Sequence, residues 1–163
     1  MAQVSPESCG ASGAACTACT EGKTCGVAGT CTDGPGGQDR IAGPNAFTVA
    51  SVLGVSGGVV VTDNPGSRAD YCAGRPIDNF RSISVVKTSS SPIYEFPVGN
   101  GSIYGEVRYQ VRMGGVDVAD VPGTGTASID YSSDGGTFIG SFDVVFRGET
   151  EHTTGIFGGR PCR

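Results

Sequence analysis

Tryptophan is absent from this chain, leucine occurs once (Leu53) and histidine once (His152). Each scarcity excludes something. One histidine cannot build a metal centre with two or three imidazole ligands. A chain with almost no leucine, and no sustained 3.6-residue apolar period, is not a helical protein. Without tryptophan, the commonest aromatic platform for a sugar ring is missing. No window approaches the run of eighteen or more apolar residues that a membrane-spanning helix requires. Charge is scarce too. Asp, Glu, Lys and Arg make up 17% of the residues, the net charge is −5, and no basic patch points to nucleic acid. The first residues, Met1 to Pro6, lack the basic and apolar regions of a secretion signal. If the chain is exported, a signal has been removed and Met1 is not the native start.

What the chain has in excess is glycine (28 residues), proline (9) and cysteine (7) among 163 residues. Glycine follows no three-residue period, which excludes collagen. Five cysteines, Cys9, Cys16, Cys19, Cys25 and Cys31, crowd into residues 1–31, a stretch with too few apolar residues to form a core. Such a segment holds a fold only if cross-links replace burial. Disulfides do so in oxidising compartments, and this favours a secreted or cell-surface location. Zinc is the alternative. Cys16-x2-Cys19 resembles one knuckle, but Cys25 and Cys31 are spaced by five residues, where a second knuckle would have two. No cofactor is expected.

Cys72 and Cys162 lie far from the head and are expected to pair with each other. Five cysteines then remain in the head. Two local bridges leave one over, either an unremarkable free thiol or the site of an intermolecular bond.

Residues 32–40 carry turn formers (Thr32-Asp33-Gly34-Pro35-Gly36-Gly37) and read as a linker. From Ile41 to residue 163 the pattern is that of strands. In 103–113, Ile103, Val107, Tyr109, Val111 and Met113 share one face, with Glu106, Arg108, Gln110 and Arg112 opposite. In 138–147, Phe138, Phe142, Val144 and Phe146 alternate with Ser141, Asp143 and Arg147. Period two over such lengths means one buried and one wet face. Gly105 and Gly140 fall at inward positions, where a missing side chain admits a bulge or a bulky neighbour. The two segments match in character from Gly101 to Arg112 and from Gly136 to Arg147. They are two solutions of one packing problem, or an internal duplication. Shorter candidates are 46–54, 57–63, 80–88, 92–98, 125–132 and 152–158. Asp134-Gly135-Gly136 reads as a hairpin, and Asn64-Pro65-Gly66 and Pro122-Gly123 as turns. The expected fold is all-β, an antiparallel β-sandwich with a barrel as the alternative, preceded by a small disulfide-rich segment.

Catalytic signatures are not found. His152 would have to serve as the base of any Ser–His–Asp site, but no Gly-x-Ser-x-Gly elbow accompanies it. It reads instead as an exposed histidine beside Glu149 and Glu151. Asp117, Asp120 and Asp130, or Asp33 and Asp39, are candidates for calcium, without the regular spacing of a calcium loop. The glycines from Gly34 to Gly37 lack the Lys-Ser/Thr of a phosphate loop. Tyr71, Tyr94 and Tyr104 are candidate surface aromatics.

The head from Cys9 to Cys31, and the tail Gly140-Ser141-Phe142-Asp143-Val144-Val145-Phe146 with Gly155-Ile156-Phe157 and Cys162, resemble cysteine-rich secreted and lipoprotein-like surface proteins of myxobacteria and their relatives. The resemblance implies a head, a Gly-rich spacer and a β domain at the cell surface, and no activity. No cysteine stands at the N-terminus as a lipid acceptor. The leading expectation is a non-enzymatic structural or adhesive surface protein, with a subunit of an extracellular assembly or filament as one form of it, whose partners are copies of itself or other surface proteins. The alternatives are a carbohydrate- or calcium-dependent binding module, and a protease inhibitor presenting the loop Thr20 to Thr24.

Overall fold

The computed structural model describes residues 8–9, 17–18, 24–25 and 31–32 and, from residue 39 on, all but 56, 65–69, 71, 75–77, 89–94, 100, 132–134 and 163. The chain is all-β. In the head, β1 (Ser8–Cys9) pairs antiparallel with β2 (Thr17–Ala18), and β3 (Thr24–Cys25) with β4 (Cys31–Thr32), so that Cys25 and Cys31 stand opposite in register. The Cys16–Cys19 knuckle and the sharing of head cysteines between bridges lie outside the described residues.

The remaining strands are β5 (Arg40–Ala42), β6 (Ser51–Val55), β7 (Gly58–Thr62), β8 (Phe80–Lys87), β9 (Glu95–Val98), β10 (Gly105–Met113), β11 (Val116–Tyr131), β12 (Phe138–Phe146) and β13 (Thr153–Pro161). They form one sheet in the order β10-β8-β7-β6-β13-β12-β11-β9, with β5 beside β13. A further pairing, β10 with β11, brings the path back on itself. Every pairing in it is antiparallel except β6 with β13, which run parallel. The sheet therefore wraps around one core and is mixed.

The core explains the wrapping. Val52, Val59, Val61, Ile83 and Val85 come from β6 to β8, and Phe96, Ile129, Phe138, Phe142, Val144, Phe146 and Phe157 from β9 to β13; all belong to one buried cluster. Period-two alternation puts these side chains on one face of each strand, and only a curled sheet removes both sets from water. Burial of each large side chain contributes roughly 1.5 to 3 kcal/mol.

Glycine makes room for the rings. At Gly105 a β-carbon would lie 2.5 Å from Phe96 Cε2, and at Gly140 2.5 Å from Phe157 Cε2. Both positions are inward, and each admits an aromatic ring from another strand. The missing side chain is part of the packing, which is why two strands with glycine at matching places resemble each other.

Three expectations need correction. Pro122 and Gly123 do not turn. They sit within β11, opposite Arg108 and Val107, and the Pro122 carbonyl accepts the Arg147 N–H at 3.0 Å. Ile103 and Met113 are not buried; they are 68% and 61% exposed. The strand from Gly105 to Met113 is inward-facing only while the core lasts. Beyond Tyr109 it projects past the core with β11, so its apolar face becomes a surface. The linker also ends sooner than expected. Asp39 Oδ1 accepts the Gly158 N–H at 2.8 Å, and Arg40 opens β5.

Cys162 follows β13 directly, its N–H donating to the Gly54 carbonyl at 2.7 Å, and its sulfur is bonded to Cys72, with Cα atoms 5.3 Å apart. The bridge holds the end of β13 to the segment between β7 and β8.

Candidate functional site

Three surface features carry polar or apolar groups that the fold itself does not consume. The first centres on His152. Asp143 points outward from β12, since its neighbours Phe142 and Val144 point in. His152 precedes β13 by one residue, and its Nδ1 lies 2.5 Å from Asp143 Oδ1. Both side chains are more than half exposed. The hydroxyls of Ser128 and Ser141 lie nearby in the same sheet and bond each other at 2.9 Å; Ser128 also accepts the Ser141 N–H. The acid–base pair of a Ser–His–Asp set is thus assembled, yet among the described residues no serine hydroxyl is hydrogen-bonded to His152. A shallow cleft of about 330 Å³ adjoins this pair, with Arg40, Glu95, Thr126, Ser141, Asp143 and Ile156 among its walls.

The second feature is a cleft of about 540 Å³ on the outer side of β8, β10 and β11, between Thr88, Ser102, Glu106, Arg108, Asp120 and Arg147. Its charges are committed. Arg108 Nε bonds Asp120 Oδ1 at 2.8 Å and its Nη1 lies 3.7 Å from Glu106. The hydrogen bond to Asp120 holds the Arg108 guanidinium above its already high pKa.

The third is the hairpin of β10 and β11. Its far end carries Met113, Val116 and Val118, exposed by 61%, 63% and 57%. The tip is pinned in place, because Gly114 N–H donates to Asn79 Oδ1 at 2.9 Å and Gly115 N–H to the Asp78 carbonyl at 3.0 Å. Gly114 and Gly115 have φ of +57° and +77°, the left-handed pair of a tight two-residue turn. On the opposite face Arg112 Nε stands 3.0 Å from Asp117 Oδ1, as an ion pair without hydrogen-bond alignment.

The acidic residues named as calcium candidates are dispersed. Asp117 and Asp120 face arginines, Asp39 caps a backbone amide, and Asp130 stands exposed opposite Ile139 on β12. Among the described residues no three His, Cys, Asp or Glu side chains gather as a metal site. Asp33, Tyr71, Tyr94 and most of the loop from Thr20 to Thr24 lie outside the described residues. Tyr104 is half-buried and packs against the core, so it is no open platform. No helix among the described residues is long and apolar enough to cross a membrane.

The free strand edges are each blunted. β5 has three residues and β9 four, with Pro97 in its middle. β11 has β12 along only Gly123 to Tyr131, which leaves residues 116–122 open on that side. A strand residue sends its N–H and C=O to the same side. Since the Pro122 carbonyl faces Arg147, its missing donor lies on this open edge. A register shift opposite Val111 and Arg112 bends the same stretch. Proline, bulges and short strands are the devices by which edges resist further pairing. Sequence reasoning did not reach these features, since they depend on register.

Comparison with known proteins adds no relative: no family model, no curated protein and no solved structure matches the chain.

Proposed function

We propose that this is a non-enzymatic structural or adhesive protein of the bacterial surface, a subunit of an extracellular assembly that contacts copies of itself or other surface proteins. The observation that carries the reading is the pinned hairpin tip with Met113, Val116 and Val118 in water. Exposed apolar side chains clustered on a fixed projection mark a contact surface. The blunted edges favour association through side chains over strand addition. Export is supported by the cysteine-dense head and by the Cys72–Cys162 bridge, both suited to an oxidising compartment. An odd cysteine in the head would make the contact covalent.

Sedimentation velocity, a non-reducing gel and negative-stain microscopy of the purified chain test this. Oligomers or filaments are expected, and Met113→Lys with Val116→Lys should shift them toward monomer. A species that stays monomeric at every concentration, with no higher band without reductant, would sink the reading.

A further inference from the structure

The outer face of β9, β11, β12, β13 and β5 has an order that the register makes explicit. One row across the five strands reads Glu95, Ser128, Ser141, Ile156, Arg40. The next reads Pro97, Thr126, Asp143, Thr154, Ala42. At about 4.8 Å between strands, the first row spans about 19 Å from a carboxylate at one edge to a guanidinium at the other. Hydroxyls fill the space between, and the 330 Å³ cleft lies along these rows.

We propose that this face binds a neutral oligosaccharide, laid across the strands from Glu95 to Arg40. The charges decide the ligand class. An anionic chain would meet Glu95 and Asp143, and a cationic one would meet Arg40. A neutral ligand bearing hydroxyls suits both ends, because a hydroxyl donates to a carboxylate and accepts from a guanidinium. Hydrogen bonds to charged groups are the stronger kind, so the two ends anchor the chain. Neither Arg40 nor Glu95 spends its side chain on a partner among the described residues, and both remain open to a ligand. Thr126 and Thr154 each offer a donor and acceptors to the middle of the chain, and Ser128, which accepts the Ser141 N–H and bonds the Ser141 hydroxyl, keeps one position for it. Ser141 is already tied to Ser128, which fixes the orientation of both. His152 holds Asp143 in place through Oδ1, and the second carboxylate oxygen is left to accept from a ligand. Ile156, about half exposed, supplies the apolar spot that the C–H face of a sugar ring covers. The cleft volume sits at the lower end of ligand sites, which fits a shallow and weak contact repeated along a polymer.

This deepens the surface-protein reading, on which it rests for its setting, and the two fail separately. An array of neutral and charged oligosaccharides, followed by calorimetric titration of the full chain with the best neutral binder, tests it. Binding of a neutral oligosaccharide is expected. Glu95→Gln and Asp143→Asn should each weaken it by about tenfold or more. Arg108→Gln, in the other cleft, should leave affinity unchanged. All these positions are partly or wholly exposed, and circular dichroism confirms that each variant folds. No neutral ligand on the array, or affinity indifferent to Glu95→Gln and Asp143→Asn, overturns the proposal. Preference for an acidic polysaccharide or a basic peptide overturns it equally. Oligomer formation is read in a separate experiment, so a monomer that binds sugar, or an assembly that does not, is distinguishable.

Discussion

Phe142 lies against Gly155 of the neighbouring strand so closely that a single added β-carbon would clash with its ring. The same relation joins Phe157 to Gly140, where the Ser128 carbonyl also closes in. Ring and glycine are one packing unit in each case.

This ranks two substitutions. Gly155→Ala must move a ring, whereas Gly140→Ala must move a ring and a backbone carbonyl. Both are expected to destabilise by about 1 to 3 kcal/mol, with Gly140→Ala the more severe. Urea denaturation measures the difference. Combining Gly155→Ala with Phe142→Leu should cost less than the sum of the two, since neighbours in contact do not add.

Removing the bridge by Cys72→Ser with Cys162→Ser releases a loop of 90 residues in separation. The chain-entropy account gives a loss of about 4 to 5 kcal/mol. Thermal unfolding should begin on the order of 10 °C lower. An unchanged melting temperature would mean that β13 is held by its pairing alone.

Alkaline stability has a definite sign. Burial pushes the phenols of Tyr109 and Tyr131 above their ordinary value, for Tyr109 against a lowering by Arg81. The folded state then holds these protons more tightly than the unfolded state does. Their contribution is complete below about pH 10 and is lost as pH rises through the folded values. Phenolate absorbance in the native protein should lag that of the unfolded chain for these two residues, and unfolding should become easier above that pH. Tyr109→Phe should reduce the effect.

By contrast, the charged face of the hairpin should matter little to stability. Arg108 and Asp120 are both substantially exposed, and Asp120→Asn is expected to cost less than about 1 kcal/mol. Pro122→Thr should do something different. It restores a donor to the open edge of β11, and aggregation measured by light scattering should rise while the melting temperature hardly changes.

How far the sequence reaches follows from where burial is regular. Phe138, Phe142, Val144 and Phe146 alternate without a break because β12 has the core along its whole length, and that strand is legible at once. The first half of β11 is not. Val116 to Asp120 lies beyond the core, which β11 reaches only at Val121, so these side chains follow no inside–outside rule, and Pro122-Gly123 mimics a turn. Met113 misleads for the same reason: its alternation continues after the core has ended. The parallel pairing of β6 with β13 joins residues about a hundred positions apart, with no local mark. The rows from Glu95 to Arg40 are likewise invisible until five strands are in register. In the sequence His152 stands beside Glu149 and Glu151, and its partner Asp143 is named only by the fold.

The central place of β13 has a consequence for the life of the chain. Of the strands described this one comes last in sequence, yet it stands between β12 and β6 and closes a sheet that the β10–β11 pairing already makes continuous on the other side. Until residues 153–161 have been made, β6 and β12 each present an unsatisfied edge, and the core lacks Phe157. The domain cannot finish folding as it emerges from the ribosome. The ring of strands closes only when β13 is in place, and Cys162, which follows it directly, then meets Cys72.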